Sequence, residues 1–441
     1  MKHPGLCMES GREERRSKGM VDIWYSLYDR MLDRERLHEA FKQVKSAKGS
    51  AGIDGQSIYD FALREETEVD QLLTELRNKS YKPLPVLRVE IPKPAGGMRK
   101  LGIPAVRDRV VQQALLTILQ PIFDPTFHPS SYGYRPGRSC HQAISKACLF
   151  MREYGRRWVV DMDLSKCFDT LDHSIILSSF RKKVRDGSIL NLLEMFLKSG
   201  VMVGWSWQSS DVGSPQGGVI SPMIANVYLD AFDQFMKARG HRIIRYADDI
   251  LILCCSRNAA LNARKQASRY LEEELLLKVN EEKTHICHSS GGIKFLGVII
   301  RDTYIQIQPE KVQRFKERVK AITRRNSPVN LKEVIKELNY YLRGYTNYFR
   351  IANCKGLLTK LFSWIRRRLR AKQLRLWKKP GRLHRRLRQL GYTGDFDAIK
   401  MNSWRNASSP LSHYAMPNKY LHEELGLFDI GTVTTGTSVS I

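Results

Sequence analysis

The sequence predicts an α+β body followed by an all-helical, strongly basic second part, and three observations carry that prediction. To about residue 305, apolar residues at helical spacing alternate with short branched runs that read as strands. Beyond Pro309 only the helical spacing remains. Within that later part, the 57 residues of 338–394 hold 16 Lys or Arg and no acidic residue, with Tyr340, Tyr341, Tyr345, Tyr348, Phe349, Trp364 and Trp377 interleaved.

Residues 1–20 are basic without an apolar core and read as a flexible lead. Leu27, Met31, Leu32, Leu37, Ala40, Phe41 and Val44 recur at helical spacing and predict a helix over 24–45, which the glycines of 49–55 end. A second helix is expected over 60–78. The Pro-rich stretch 83–104 encloses the alternating run Val86-Leu87-Arg88-Val89-Glu90-Ile91, a Gly96-Gly97 turn and Arg99-Lys100-Leu101-Gly102-Ile103, a basic hairpin. Helices are expected over 107–120, 138–152, 173–184 and 222–238, and strands over 157–163, 242–246, 250–254 and 293–300. The later helices are expected over 310–325, 331–349 and 355–376, the middle one opened by a capping box of Asn330 and Glu333. After the Pro380-Gly381 break, 378–428 forms a further small segment, and the Thr, Ser and Gly of 429–441 suit a disordered tail.

The chain has 441 residues, 42% of them apolar, enough to bury a sizeable core in more than one domain. Its 73 Lys and Arg against 45 Asp and Glu give a net charge of +28 and a pI near 9.8. That excess exceeds what solubility needs and suits a polyanion, with nucleic acid the expected partner. No apolar stretch approaches the roughly 20 residues of a spanning helix, so no membrane partner is expected. The eight cysteines are scattered, without C-x-x-C pairs or histidines at zinc spacing, which indicates a reducing compartment and no structural zinc. A cytoplasmic protein acting where its nucleic acid lies is expected.

Two acidic segments carry the chemistry. Tyr246-Ala247-Asp248-Asp249 lies between Ile243-Ile244 and Ile250-Leu251-Ile252-Leu253, so two adjacent carboxylates fall at the tip of a hairpin and both can face one metal pair. In Trp158-Val159-Val160-Asp161-Met162-Asp163-Leu164-Ser165-Lys166-Cys167-Phe168-Asp169 an apolar strand ends in spaced acids, one of which can be a third ligand. Mg²⁺ takes hard oxygen ligands, and a pair of such ions stabilises the attacking and leaving oxygens of an in-line displacement at phosphorus. Clustered carboxylates without a cation would repel one another and titrate high.

The order of segments resembles the group II intron reverse transcriptases, or maturases, over most of the chain. The motifs are Ile91-Pro92-Lys93-Pro94-Ala95-Gly96-Gly97-Met98-Arg99-Lys100-Leu101-Gly102-Ile103-Pro104, Ser131-Tyr132-Gly133-Tyr134-Arg135-Pro136-Gly137-Arg138-Ser139, the Asp163 strand, Gly213-Ser214-Pro215-Gln216-Gly217-Gly218-Val219-Ile220-Ser221-Pro222, the Tyr246 turn, Glu282-Lys283-Thr284 and Phe295-Leu296-Gly297. The resemblance implies right-hand fingers and palm over 21–305, a helical thumb (domain X) over 306–377 and a short DNA-binding tail over 378–428, where Trp404-Arg405-Asn406 and Ser409-Pro410 fall. It implies RNA-directed DNA synthesis from dNTPs with two Mg²⁺, and partners that are intron RNA, an RNA template with a DNA primer, and a DNA target site. The endonuclease of some relatives, with its paired cysteines, is not expected.

Carried over by residue, Asp163, Asp248 and Asp249 would be the metal ligands. Asp163 is preferred to Asp161 because such polymerases place an aromatic five residues after the catalytic Asp, and Phe168 fits only Asp163. Phe168 would be the steric gate against a 2′-hydroxyl. Lys93 and Arg99, on either side of the Gly96-Gly97 turn, would neutralise the triphosphate, Gln216 would touch the incoming nucleotide, and Lys283 would protonate departing pyrophosphate. Arg135 and Arg138 would grip template phosphates and Tyr246 would pack beside the primer end. Arg343, Tyr345, Arg366 and Arg367 would hold duplex or intron RNA. A domesticated reverse transcriptase and a splicing-only RNA-binding protein are the alternatives.

Overall fold

A computed structural model describes residues 22–92, 96–203, 206–208, 213, 217–394 and 405–436. It contains two compact units, Met1–Ser139 with Trp158–Ile286, and Cys140–Arg157 with Cys287–Ile441. Among the described residues no helix is long and apolar enough to cross a membrane.

The chain opens with α1 (Arg34–Ala47), α2 (Ile58–Leu63) and α3 (Glu65–Arg77), then β1 (Val86–Pro92), β2 (Met98–Ile103) and α4 (Val106–Phe123). After α5 (Cys140–Arg152), which belongs to the second unit, come β3 (Trp158–Met162), α6 (His173–Arg181), α7 (Gly187–Lys198), β4 (Val201–Val203), β5 (Ser206–Gln208) and α8 (Ser221–Ala238). β6 (Arg242–Tyr246), β7 (Asp249–Cys254), α9 (Arg257–Arg269) and β8 (His285–His288) follow. Of the three sheets, a first runs β2-β1-β4-β5 and a second β6-β7-β3-β8.

Local chemistry sets several of these boundaries. The helix expected over 24–45 starts only at Arg34, because Asp33, in extended conformation, accepts the Glu35 N–H at 3.0 Å and caps it, while Tyr28–Met31 forms a separate 3-10 turn. The helix expected over 60–78 divides at Arg64, whose backbone leaves the helical region, and a Ser57/Asp60 capping box opens its first half. The basic hairpin forms as expected, with Gly96 and Gly97 both at positive φ.

The second sheet is the heart of the first unit. β7 lies between β6 and β3, antiparallel to both, and Ile250, Leu251, Ile252 and Leu253 are all buried, with α9 packed on β3 and β7 and α8 on β6. Branched residues buried on both faces suit such a central strand. Within this apolar block Arg245 is 0% exposed. Its Nε and Nη2 bond the Asp233 carboxylate of α8, itself 0% exposed, at 2.6–3.0 Å, and Nη1 reaches Asn226 Oδ1 at 2.9 Å and the Ala247 carbonyl at 3.1 Å.

In the second unit α5 and a small antiparallel sheet, β9 (Ile293–Phe295), β10 (Val298–Ile300) and β11 (Ile305–Ile307), join α10 (Pro309–Ile322), α11 (Leu331–Phe349), α12 (Lys355–Trp377), α13 (Pro380–Gln389) and α14 (Pro410–Ala415). Residues 140–157 and 287–305 thus pack with the later helices, across the expected boundary at 305. The ties are specific: the His141 ring bonds the Tyr348 carbonyl at 2.6 Å, the Tyr348 hydroxyl donates to the Leu296 carbonyl at 2.8 Å, and Ser289 N–H donates to the Arg157 carbonyl at 2.9 Å. The strand expected over 293–300 is two strands, because Leu296 and Gly297 at positive φ turn the chain. α11 starts where expected, with Asn330 Oδ1 accepting the Glu333 N–H at 3.0 Å.

Two expectations for this unit are corrected. Tyr345 is buried, 4.3 Å from the Phe315 ring and 4.6 Å from Phe349, because Leu338, Leu342, Tyr345 and Phe349 form the apolar stripe of α11; it is a core residue rather than part of an exposed basic face. The tail from 429 is ordered to 436: Ile430–Thr432 forms a 3-10 turn and Gly436 N–H donates to the Arg350 carbonyl at 2.7 Å. Residues 437–441, and Trp404, lie outside the described residues. α13 and α14 share a core with α12 through Leu374, Leu383, Leu387, Ala415 and Met416.

The Arg245–Asp233 pair gives a stability prediction. Asp233→Ala leaves a buried arginine without its counter-charge and should cost about 3–5 kcal/mol by denaturant unfolding. A loss below about 1 kcal/mol would contradict a structural role for the pair.

Candidate active site

The β6–β7 turn presents the two adjacent acids. Tyr246 and Asp249 are the last register pair, Ala247 takes a left-handed φ of +59°, and Asp248 completes the turn, so Asp248 sits at the tip and Asp249 begins β7. The turn is gripped from outside. Arg245 Nη1 bonds the Ala247 carbonyl, and Gly133 lies so close that a Cβ there would come within 2.3 Å of the Ala247 nitrogen. Only glycine fits at 133. The Gly133 carbonyl in turn accepts Asn226 Nδ2 at 2.9 Å, while the Arg245 backbone accepts from Tyr132 at 2.9 Å and donates to Ser130 at 3.0 Å.

The third acid comes from β3. Met162 pairs with Ile250, so continuing the register by one residue sets Asp163 opposite Asp249 and on the same face of the sheet. The loop before β8 fixes it: Asn280 Nδ2 donates to Asp163 Oδ2 at 3.1 Å, Lys283 Nζ donates to the same oxygen at 2.9 Å, and Asn280 N–H donates to the Asp163 carbonyl at 2.9 Å. Asn280 was not singled out in the sequence; its spacing three residues before Lys283 was the available signal.

The electrostatics are those of crowded carboxylates. Asp249 is pushed up to about 7, first by burial and then by Asp248, Asp163 and Asp161, against the pull of Lys283. Burial and Asp163 raise Asp248, while Arg99 and Lys283 draw it down. Burial lifts Asp161 to about 6, with His285 opposing. Lys283, 68% exposed, is held protonated chiefly by its bond to Asp163. Hard oxygen donors that repel one another fit Mg²⁺. Among the described residues, however, no trio of acidic, His or Cys side chains is already closed around a metal-sized hollow, and Asp163 Oδ2 is occupied by Asn280 and Lys283.

The other expected site residues fall as follows. Arg99, exposed on β2, acts electrostatically on Asp248; Lys93 and Gln216 lie outside the described residues. Gly213 and Gly217 are themselves closely packed, since a Cβ at Gly213 would be 2.7 Å from the Asp169 carbonyl oxygen and one at Gly217 would be 2.3 Å from that of Gly102. Phe168 stands half-buried on a one-turn 3-10 helix, Cys167–Asp169, and Tyr246 is half-buried at the end of β6. Arg138 is exposed, its guanidinium 5.7 Å over the Tyr132 ring. Arg343 and Arg367 are exposed and Arg366 half-buried, all in the second unit.

Arg135 requires a correction. It is buried, with Nε 2.7 Å from Asp124 Oδ1, Nη2 2.7 Å from the Asp124 carbonyl, and Nη1 3.1 and 3.0 Å from the carbonyls of His128 and Ser131. All three of its nitrogens are engaged inside the protein, so it braces the loop rather than presenting a free guanidinium to a template phosphate.

Residues 91–300 match the family described as reverse transcriptase (RNA-dependent DNA polymerase), and residues 312–391 match the group II intron, maturase-specific domain. The chain is 36% identical over 302 residues to protein YkfC of Escherichia coli (strain K12), covering 60% of this chain and 79% of that protein. It is 27% identical over 433 residues to the group II intron-encoded protein LtrA of Lactococcus lactis subsp. cremoris, covering 75% of this chain and 71% of that one. A palm-like triad of acids, a reverse transcriptase match and a maturase match in one chain agree: the protein belongs to the group II intron reverse transcriptases, RNA-directed DNA polymerases joined to a maturase domain.

Proposed function

We propose that this reverse transcriptase extends a DNA primer along an RNA template at Asp163, Asp248 and Asp249, and that its basic helical part binds the parent intron RNA for splicing and mobility. The observation that carries the catalytic reading is the convergence of Asp163, opposite Asp249 in register, on the two acids of the β6–β7 turn, a crowding of carboxylates that a divalent cation would relieve. Two Mg²⁺ held by these three carboxylates would supply charge stabilisation to the attacking and leaving oxygens.

The chain's own side chains do the rest. Lys283, protonated beside Asp163, would give its proton to the departing pyrophosphate, a role that its bond to the catalytic carboxylate supports. Arg99, with Lys93, draws the triphosphate toward the acids by charge, and Gln216 touches the incoming nucleotide. Phe168, five residues after Asp163, is the gate against a ribose hydroxyl, Tyr246 lies against the primer end, and Arg138 takes a template phosphate. Within the second unit, α10 to α12 serve as the thumb, where Arg343, Arg366 and Arg367 on α11 and α12 offer RNA an outward basic face. The segment 378–428 contacts the DNA target. The site of action is the cytoplasm, on the nucleic acid itself.

The carboxylates can be tested by activity and by pH. With an oligo(dT) primer on poly(rA), dTTP and Mg²⁺, Asp248→Ala or Asp249→Ala should lower incorporation by on the order of 10³-fold, and Lys283→Ala by roughly 10- to 100-fold. Unchanged activity in Asp249→Ala would defeat the assignment, and no product from the wild type would favour a splicing-only protein. As for pH, Asp249 titrates near 7 in the folded protein against 3.8 in the unfolded chain, so between those values the folded state holds a proton that the unfolded state has lost. Stability therefore falls as pH rises from about 4 to 7 and stays low above it. Without divalent metal, Asp249→Asn should raise Tm at pH 8 by on the order of 2–5 °C and give no gain at pH 4. Mg²⁺ should stabilise the wild type more than the variant. Parallel pH profiles would contradict the crowding.

A further inference from the structure

Tyr134 is held in the open between two neighbours that are tied down. On one side Gly133 is wedged against the Ala247 nitrogen and bonded to Asn226; on the other Arg135 is locked to Asp124. Between them the Tyr134 backbone takes a left-handed φ of +58°, a conformation that glycine adopts freely and a residue with a Cβ adopts at a cost. Core packing does not explain the strain, because the side chain is 55% exposed. Its ring instead meets the Phe168 ring edge-on, with centroids 6.5 Å apart and planes at 80°. The charged groups that act on its hydroxyl are Asp248, Asp249 and Arg99, all members of the proposed nucleotide site.

A gate discriminates only if it does not yield. Phe168 rides on a single 3-10 turn entered through Lys166 at a φ of +52°, and it is only partly buried where it packs against the core. An edge-on aromatic partner is a favourable support for a ring that would otherwise swing aside. We propose that Tyr134 is a specificity-determining residue of the polymerase: its ring braces Phe168 and forms with it the surface against which the sugar of the incoming nucleotide is read. This rests on Phe168 being the gate, and the loop strain at Tyr134 is the structural cost of placing that brace.

The test compares kcat/KM for dTTP and UTP on poly(rA) primed with oligo(dT), using the full chain as wild type, Tyr134→Gly, Tyr134→Phe and Phe168→Ala. Glycine suits the left-handed backbone; should Tyr134→Gly not fold, Tyr134→Asn carries the same test. Removing the Tyr134 ring should lower the dTTP-to-UTP preference about tenfold, whereas Tyr134→Phe, which retains the ring, should keep it. An equal loss on both substrates, as expected of a residue that only stacks on template or supports the loop, overturns the proposal. If Phe168→Ala collapses the preference while ring removal at 134 leaves it intact, the brace fails and the gate stands. If Phe168→Ala leaves the preference unchanged, the gate reading fails and the brace with it.

Discussion

The buried bond between Arg245 and Asp233 ties the edge strand β6, α8 and the acidic turn to one another. A guanidinium inside an apolar sheet is tolerable only because Asp233 and Asn226 meet it from α8 and the Ala247 carbonyl meets it from the turn. The same arginine's backbone carries the 130–132 segment, which brings Gly133 against the turn. The position of Asp248 and Asp249 is thus set by a polar network beneath them rather than by the turn's own preference, which matters because Ala247 is held in a conformation that alanine disfavours.

Upon that platform the site is built from opposed charges. Burial and mutual repulsion make the carboxylates reluctant to ionise together, and Lys283 and Arg99 offset only part of that. Asn280 contributes position rather than charge. It holds both the side chain and the backbone of Asp163, so the acid from β3 meets the turn at a fixed height. Stored repulsion of this kind is what gives a carboxylate site its appetite for a hard divalent cation.

Much of this was legible in the sequence where the signal is local. The branched strands around Asp248 and Asp249, the glycine turn of the basic hairpin and the Asn330 cap of α11 depend on neighbours a few residues away, and each forms as the local pattern predicts. What failed depends on how the fold closes around a side chain, which spacing does not reveal. Arg135 looks like any loop arginine until Asp124 and the carbonyls of His128 and Ser131 surround it, and Tyr345 looks like its exposed neighbour Tyr340 until Phe315 covers it. The edge-on pairing of Tyr134 with Phe168 was invisible because it joins two motifs that only the fold brings together.

Asp163, just after β3, and the two acids of the β6–β7 turn are proposed as one metal site built on the Arg245 network. Its most direct measurement is the anomalous scattering of Mn²⁺ in crystals of the enzyme with a primer–template and an unreactive dNTP analogue. Mn²⁺ peaks are expected in contact with Asp163, Asp248 and Asp249, with Lys283 moved off Asp163 and the Arg245–Asp233 bond unchanged. Mn²⁺ bound away from these three carboxylates would contradict it.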